Sequence, residues 1–168
     1  MAETFEGSIR LGVTGSLASS ADLTTNTSNL NYSKSYTITN GTAADMANNI
    51  WSDTRTLTAS SAEDLDLAGG LTNAFGTTLT FTKIKGIVIE ASSANTNNVQ
   101  VGGDSASLAT LFGAAADYIN VRPGGIFAVY SPDSTGYAVT GTTADILQVA
   151  NSAGSTSVTY NIIIIGCV

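Results

Sequence analysis

The densest chemistry in this chain is a carboxylate cluster, Glu63, Asp64 and Asp66. Paired acids at such spacing could serve a glycosidase or supply oxygens to Ca²⁺. Their neighbours favour a plainer use: Leu65 and Leu67 alternate with Asp64 and Asp66, as in a strand with one apolar and one solvated face. The glycine-centred oxygen spacing of a calcium loop is also missing. The sequence contains no histidine, which removes imidazole bases and metal ligands and with them the Ser-His-Asp and Cys-His constellations. No Gly-x-x-x-x-Gly-Lys phosphate loop, Gly-x-Ser-x-Gly elbow or Ser-x-x-Lys motif occurs. Gly69-Gly70, Gly102-Gly103 and Gly124-Gly125 lack Rossmann spacing and read as turns. Trp51, Tyr130 and Tyr137 are the aromatics that could stack on a sugar, although a lone tryptophan in a small β domain more often serves a core or an interface. Asp133-Ser-Thr-Gly136 after Pro132 fits a polar hairpin turn. Cys167 is the only cysteine, so no intrachain disulfide can form, and its place after an isoleucine run predicts a buried apolar residue rather than a reactive thiol. These residues predict neither an enzyme nor a metal or cofactor site.

The composition agrees. Apolar residues make up 43% and charged residues only 11% of the 168, so Ser, Thr, Asn and Gly must cover the surface, which suits a protein occupied by partners. Thirteen acids against six bases give a net charge of -7. With Arg10, Lys34, Arg55, Lys83, Lys85 and Arg122 scattered, nucleic acid and anionic membranes are both poor partners. The acidic start Met1-Ala-Glu-Thr-Phe-Glu6 does not read as a secretory signal, which predicts synthesis in a cytoplasm without export by that route. No apolar run approaches the ~20 residues of a membrane helix.

The elements that must carry these residues are strands. The length predicts one domain. Phe5 to Thr14 alternates like a strand, and Gly15 to Asn31 is a polar Ser/Thr/Asn stretch. Residues 1–31 are therefore expected to be an N-terminal strand or arm with an extended linker, ordered against a neighbour, and residues 32–168 a β-sandwich domain. Strands are expected over Tyr32–Thr39, Asn49–Leu57, Glu63–Leu67, Thr80–Glu90, Val99–Gly103, Tyr118–Tyr130, Tyr137–Thr140 and Val158–Gly166, with turns at the spacing of a sandwich or barrel. Asn40-Gly41 and Arg122-Pro-Gly-Gly125 are the clearest turn signals. Two short helical pieces are expected, a turn over Leu71–Gly76 and a helix within 104–117 with Leu108, Leu111, Phe112 and Ala115 on one side. Four consecutive isoleucines, Ile162 to Ile165, require cover on both faces, so that strand is expected inside a sheet or sealed by a neighbouring subunit.

The ordered series Asp53–Leu57, Asp64–Gly76, Lys83–Ile89, Val101–Gly103, Ile119–Phe127, Asp145–Asn151 and Tyr160–Gly166 resembles small structural proteins of tailed bacteriophages, jelly-roll virion proteins that decorate or cement capsid shells. The resemblance spans residues 45–166. It implies an antiparallel β-sandwich of jelly-roll type and no catalysis. It further implies a homotrimer on the capsid surface of the virion, made in the host bacterial cytoplasm, with the major capsid protein as partner. Related β modules in tails and fibres leave a receptor- or glycan-binding role as the alternative. Residues 1–31 lie outside the resemblance and are the candidate capsid-binding or subunit-exchanging element. The expected partner contacts are Phe5, Ile9, Leu11 and Val13, together with Trp51 and Arg55.

Overall fold

The computed structural model describes residues 3–168. With 58% of residues in strands and 2% in helix, the chain is all-β, built from several antiparallel sheets. Strands β1 (Gly7–Ser20) and β2 (Thr25–Asn40) form one long hairpin, and the short β3 (Met46–Ala47) pairs in parallel with the end of β2. β4 (Asn49–Leu57), β5 (Ala62–Asp66), β6 (Ala68–Thr72), β7 (Thr78–Thr80), β8 (Lys83–Ala91) and β9 (Val99–Gly102) follow. After the single helical turn α1 (Ala109–Phe112) come β10 (Tyr118–Val121), β11 (Ile126–Tyr130), β12 (Tyr137–Ala138), β13 (Ile146–Asn151) and β14 (Val158–Cys167).

Two sheets hold the core. The first has the order β11-β8-β14-β4, with β12 added beside β8, and the second the order β10-β9-β13-β5. One face of each is apolar at every second residue. Trp51, Leu57, Ile87, Ile89, Tyr160, Ile162 and Ile164 from the first sheet meet Leu65, Val99, Val101, Val121, Leu147 and Val149 from the second in one buried cluster, a sandwich-like arrangement. Each side chain so buried contributes about 1.5–3 kcal/mol relative to exposure. Successive strands cross between the sheets, which demands sharp connections. At Arg122-Pro-Gly-Gly125 the Gly125 N–H donates to the Arg122 carbonyl at 2.7 Å, and Gly124 takes φ +72°, where a side chain would strain the backbone.

The isoleucine run is internal to the sheet as expected, but its cover is incomplete, because Ile163 on the outer face is 38% exposed. β14 lies between β8 and β4; Ile162 and Ile164 point into the core, and Ile165 is covered on the opposite face by a smaller cluster with Ile38 and Ala47.

Four expectations are corrected. Gly15 to Asn31 is not an extended linker, because its hydroxyl and amide residues pair in register across the hairpin from Gly15↔Leu30 to Ser20↔Thr25. Residue 31, expected as a domain boundary, therefore lies inside β2. The helix expected within 104–117 shrinks to α1, which Gly113 ends at φ +89°. Leu71–Gly76 is no helical turn: β6 runs through Thr72, and the Asn73 side chain then accepts from the N–H groups of Phe75 and Thr77, both at 3.0 Å, to close a loop.

Candidate interaction surface

The β1–β2 hairpin is a two-stranded ribbon, roughly 45 Å long at the usual strand rise. Pairing puts Ile9 opposite Tyr36, Leu11 opposite Lys34, Val13 opposite Tyr32, Gly15 opposite Leu30 and Leu17 opposite Ser28. Because side chains alternate, these residues share one face, and Ser8, Arg10, Thr14, Ser16, Ser33, Ser35 and Thr37 share the other. The ribbon is thus amphipathic. Its base is anchored: Ile38 is buried with Ala47 and Ile165, and Phe5, Ile9 and Tyr130 pack around them. The Phe5 N–H donates to the Asn40 side-chain oxygen at 3.1 Å, and the Tyr36 and Tyr130 rings meet at 4.9 Å between centroids. Beyond the base no described residue covers it. Leu11, Val13, Leu17, Leu30 and Tyr32 keep 47–77% of their surface in solvent, and Leu23 at the tip is fully exposed.

The ribbon's apolar face rises from the outer face of the first sheet. Register places Tyr130, Gly86, Ile165 and Ile50 in one row of that face, Ala128, Val88, Ile163 and Ser52 in the next, and Ile126, Glu90, Asn161 and Thr54 in the third. The first row lies largely under the ribbon base. In the other rows Ile126 and Ala128 are exposed and Ile163 is 38% exposed. Glu90 is the only charged residue of these rows, and it accepts from the Asn161 amide at 3.2 Å. A crevice of about 270 Å³ runs between ribbon and sheet, lined by Ile9, Leu11, Tyr36, Val88, Ala128 and Tyr130 among others.

Trp51 and Arg55 lie on the other side of the same sheet. Trp51 is 7% exposed and belongs to the main core. The Arg55 guanidinium stands 5.7 Å from its ring centroid and pairs with Asp53 at 3.3 Å and Glu63 at 3.5 Å. Glu63 also accepts from the Tyr160 hydroxyl at 2.6 Å. Burial first, and then the hydrogen bond to Glu63, push the Tyr160 hydroxyl pKa far above its ordinary value. The structure therefore separates the expected partner residues. Phe5 and Ile9 anchor the ribbon base, Leu11 and Val13 are presented to solvent, Trp51 is turned into the core, and Arg55 joins a partly exposed polar cluster beside it. Alternation along Asn49–Leu57 sets this, since Trp51, Asp53, Arg55 and Leu57 all face inward on β4.

The other chemical candidates disperse as well. Glu63 faces the core side of β5, whereas Asp64 on the opposite face accepts from the Gln148 amide at 2.8 Å, and Asp66 accepts from the Ala68 N–H at 2.8 Å. Among the described residues no group of three or more acids and cysteines could hold a metal ion. Trp51 and Tyr130 lie on opposite faces of one sheet, so they form no common stacking platform with Tyr137. Asp133 closes its turn by accepting from the Ser131 hydroxyl and from the N–H groups of Thr135 and Gly136, each at 2.7 Å. The Ser131 bond foremost holds its carboxyl pKa below the usual value. Lys85 is fully buried beside this turn, and its ammonium donates to the Asp133 carbonyl. Cys167 is buried, and burial raises its thiol pKa.

An apolar ribbon standing on a largely apolar sheet face, with the carboxylates of Glu63, Asp64 and Asp66 each accepting a hydrogen bond from within the chain, is an arrangement for contact. Its fold and surface define a sandwich-like all-β molecule that carries a projecting amphipathic hairpin. No family model, curated protein or solved structure matches the chain. Tyr32, Lys34, Tyr36 and Glu90 were not among the residues expected to make contacts. A signal for three of them exists in the sequence: Leu30, Tyr32, Lys34, Tyr36 and Ile38 recur at every second position.

Proposed function

We propose that this chain is a structural protein of a tailed-bacteriophage virion, a capsid decoration protein that binds the outer surface of the head and bridges major capsid subunits. The observation that carries the reading is strand order. β4, β5, β8, β9, β10, β11, β13 and β14 visit the two sheets so that β11-β8-β14-β4 lies in one and β10-β9-β13-β5 in the other, an order that supports reading the body as a jelly roll. This supports the likeness seen over residues 45–166. The exposed apolar hairpin supports a role in assembly, because surface of that kind is stable only when covered. Many copies making modest contacts around a shell would add up through multivalency.

Glycan binding by a tail or fibre module loses support, since Trp51 is in the core. The test is to mix purified protein with expanded, undecorated capsids and locate its density by cryo-electron microscopy. Saturable density on the outer head surface is expected. Occupancy of the tail alone, or none on heads, overturns the reading.

A further inference from the structure

Two apolar surfaces of this molecule stand uncovered, and they complement each other. The first is the ribbon face of Leu11, Val13, Leu17, Leu30 and Tyr32, exposed by 47–77%. These five side chains present on the order of 600 Å², at the upper limit of the largest patch on a typical monomer. That is most of the roughly 800 Å² each partner gives to a standard stable interface. The second is the outer face of the β11-β8-β14-β4 sheet, where Ile126, Ala128, Val88 and Ile163 remain in contact with solvent.

Charge says what covers them. Residues 7–40 carry Arg10 and Lys34 against Asp22, a charge of +1, whereas the remaining four bases and twelve acids give -8, for the total of -7. The ribbon is the positive part of an acidic chain. Within its apolar face Lys34 is the one cation, opposite Leu11; its ammonium lies 5.1 Å from the Tyr36 ring centroid and makes no ion pair among the described residues. Within the three rows of the outer sheet face described above, Glu90 is the one anion. Each copy thus offers an apolar ridge with a single positive charge and a floor of Ile126, Ala128, Val88 and Ile163, bordered by Ser52, Thr54 and Asn161, with a single negative one.

We propose that the hairpin of one copy lays its apolar face on the outer sheet face of a second copy of this chain, with Lys34 meeting Glu90 of that copy. The free end of the ribbon projects from its own body, so it reaches a neighbour, while its base stays fixed by Ile38 and Ile9. Exchange of ribbons buries both surfaces at once. The inference rests on reading the chain as an assembly protein, but its test contains no capsid; a chain that self-associates and ignores heads keeps this inference and loses the decoration role.

Sedimentation equilibrium over about 1–100 µM should find the wild type associated in the micromolar range, as an apolar contact near standard size allows. Leu11→Asp with Val13→Asp should weaken association at least ~100-fold, because two charges would be buried without partners. Lys34→Glu and Glu90→Lys should each weaken it about tenfold or more, and the double reversal should recover to within about threefold of wild type. All four side chains are exposed, so unchanged circular dichroism keeps folding out of the comparison. A monomer of 17.1 kDa throughout the range overturns the proposal. So does an oligomer indifferent to Leu11 and Val13, or one in which double reversal restores nothing, as ribbon-on-ribbon contact would give.

Discussion

Replacing single members of the isoleucine run measures how completely β14 is enclosed. Ile164 is fully buried, whereas its neighbour Ile163 lies on the outer face and is 38% exposed. Ile164→Ala removes three carbons, about 2.4 kcal/mol of transfer free energy at ~0.8 kcal/mol per buried carbon. The cavity left in the core brings the loss to about 3–4 kcal/mol. At Ile163 roughly six-tenths of the same area is buried and the site opens to solvent, so no closed cavity forms and Ile163→Ala loses about 1.5 kcal/mol. For a domain of this size the melting midpoints should fall by ~6–16 °C and ~3–6 °C respectively. The assay is urea unfolding followed by circular dichroism at low protein concentration, in a Lys34→Glu background so that association does not intrude. Parallel transitions with unchanged slope make the two losses comparable. Equal losses, or a larger one at Ile163, would refute the assignment of inner and outer faces to β14.

Tyr160 makes stability depend on alkaline pH. Its folded pKa lies above the ordinary value of 10.0, so its contribution is complete below about pH 10 and is lost as pH rises toward the folded value. Tyr160→Phe should lower stability at neutral pH by about 1.5–3 kcal/mol, through loss of the bond to the Glu63 carboxylate, and flatten the decline above pH 10; an unchanged alkaline slope in chemical denaturation would exclude the assignment. Cys167, buried and with a raised pKa, should react with a thiol-specific disulfide reagent only as fast as the structure opens. Immediate stoichiometric labelling of folded protein at pH 8 would show that the thiol is accessible.

Much of the sandwich-like body was legible because its signals are local. Ile162 to Ile165 demanded cover on both sides, and Arg122-Pro-Gly-Gly125 could only be a sharp reversal. The ribbon was legible only in part. Its first half alternates clearly through Ile9, Leu11 and Val13, but Gly12 and Gly15 weaken the strand pattern, and the Ala21–Thr24 tip lacks an Asn-Gly or Asp-Gly signal. A Ser/Thr/Asn strand pairs through its backbone, so composition gave no warning of its order. Helical spacing of Leu108, Leu111 and Phe112 misled because Gly113 stops the turn. Trp51 and Arg55 looked like surface contacts because a strand that alternates tryptophan with charge resembles an exposed one. Only their partners on other strands, Glu63 and above all the distant Tyr160, reveal an inward polar cluster, and strand pairing across about a hundred residues is invisible to local pattern.

The central position of β14 also governs when the molecule can fold. β8 and β4 are both paired to β14 and not to each other, so the first sheet exists as separate pieces until residues 158–167 have left the ribosome. Contacts this distant in sequence close slowly. Until then a nascent chain carries Ile84 to Ile89 with one edge unpaired, the kind of exposed edge that makes partly folded chains prone to aggregate.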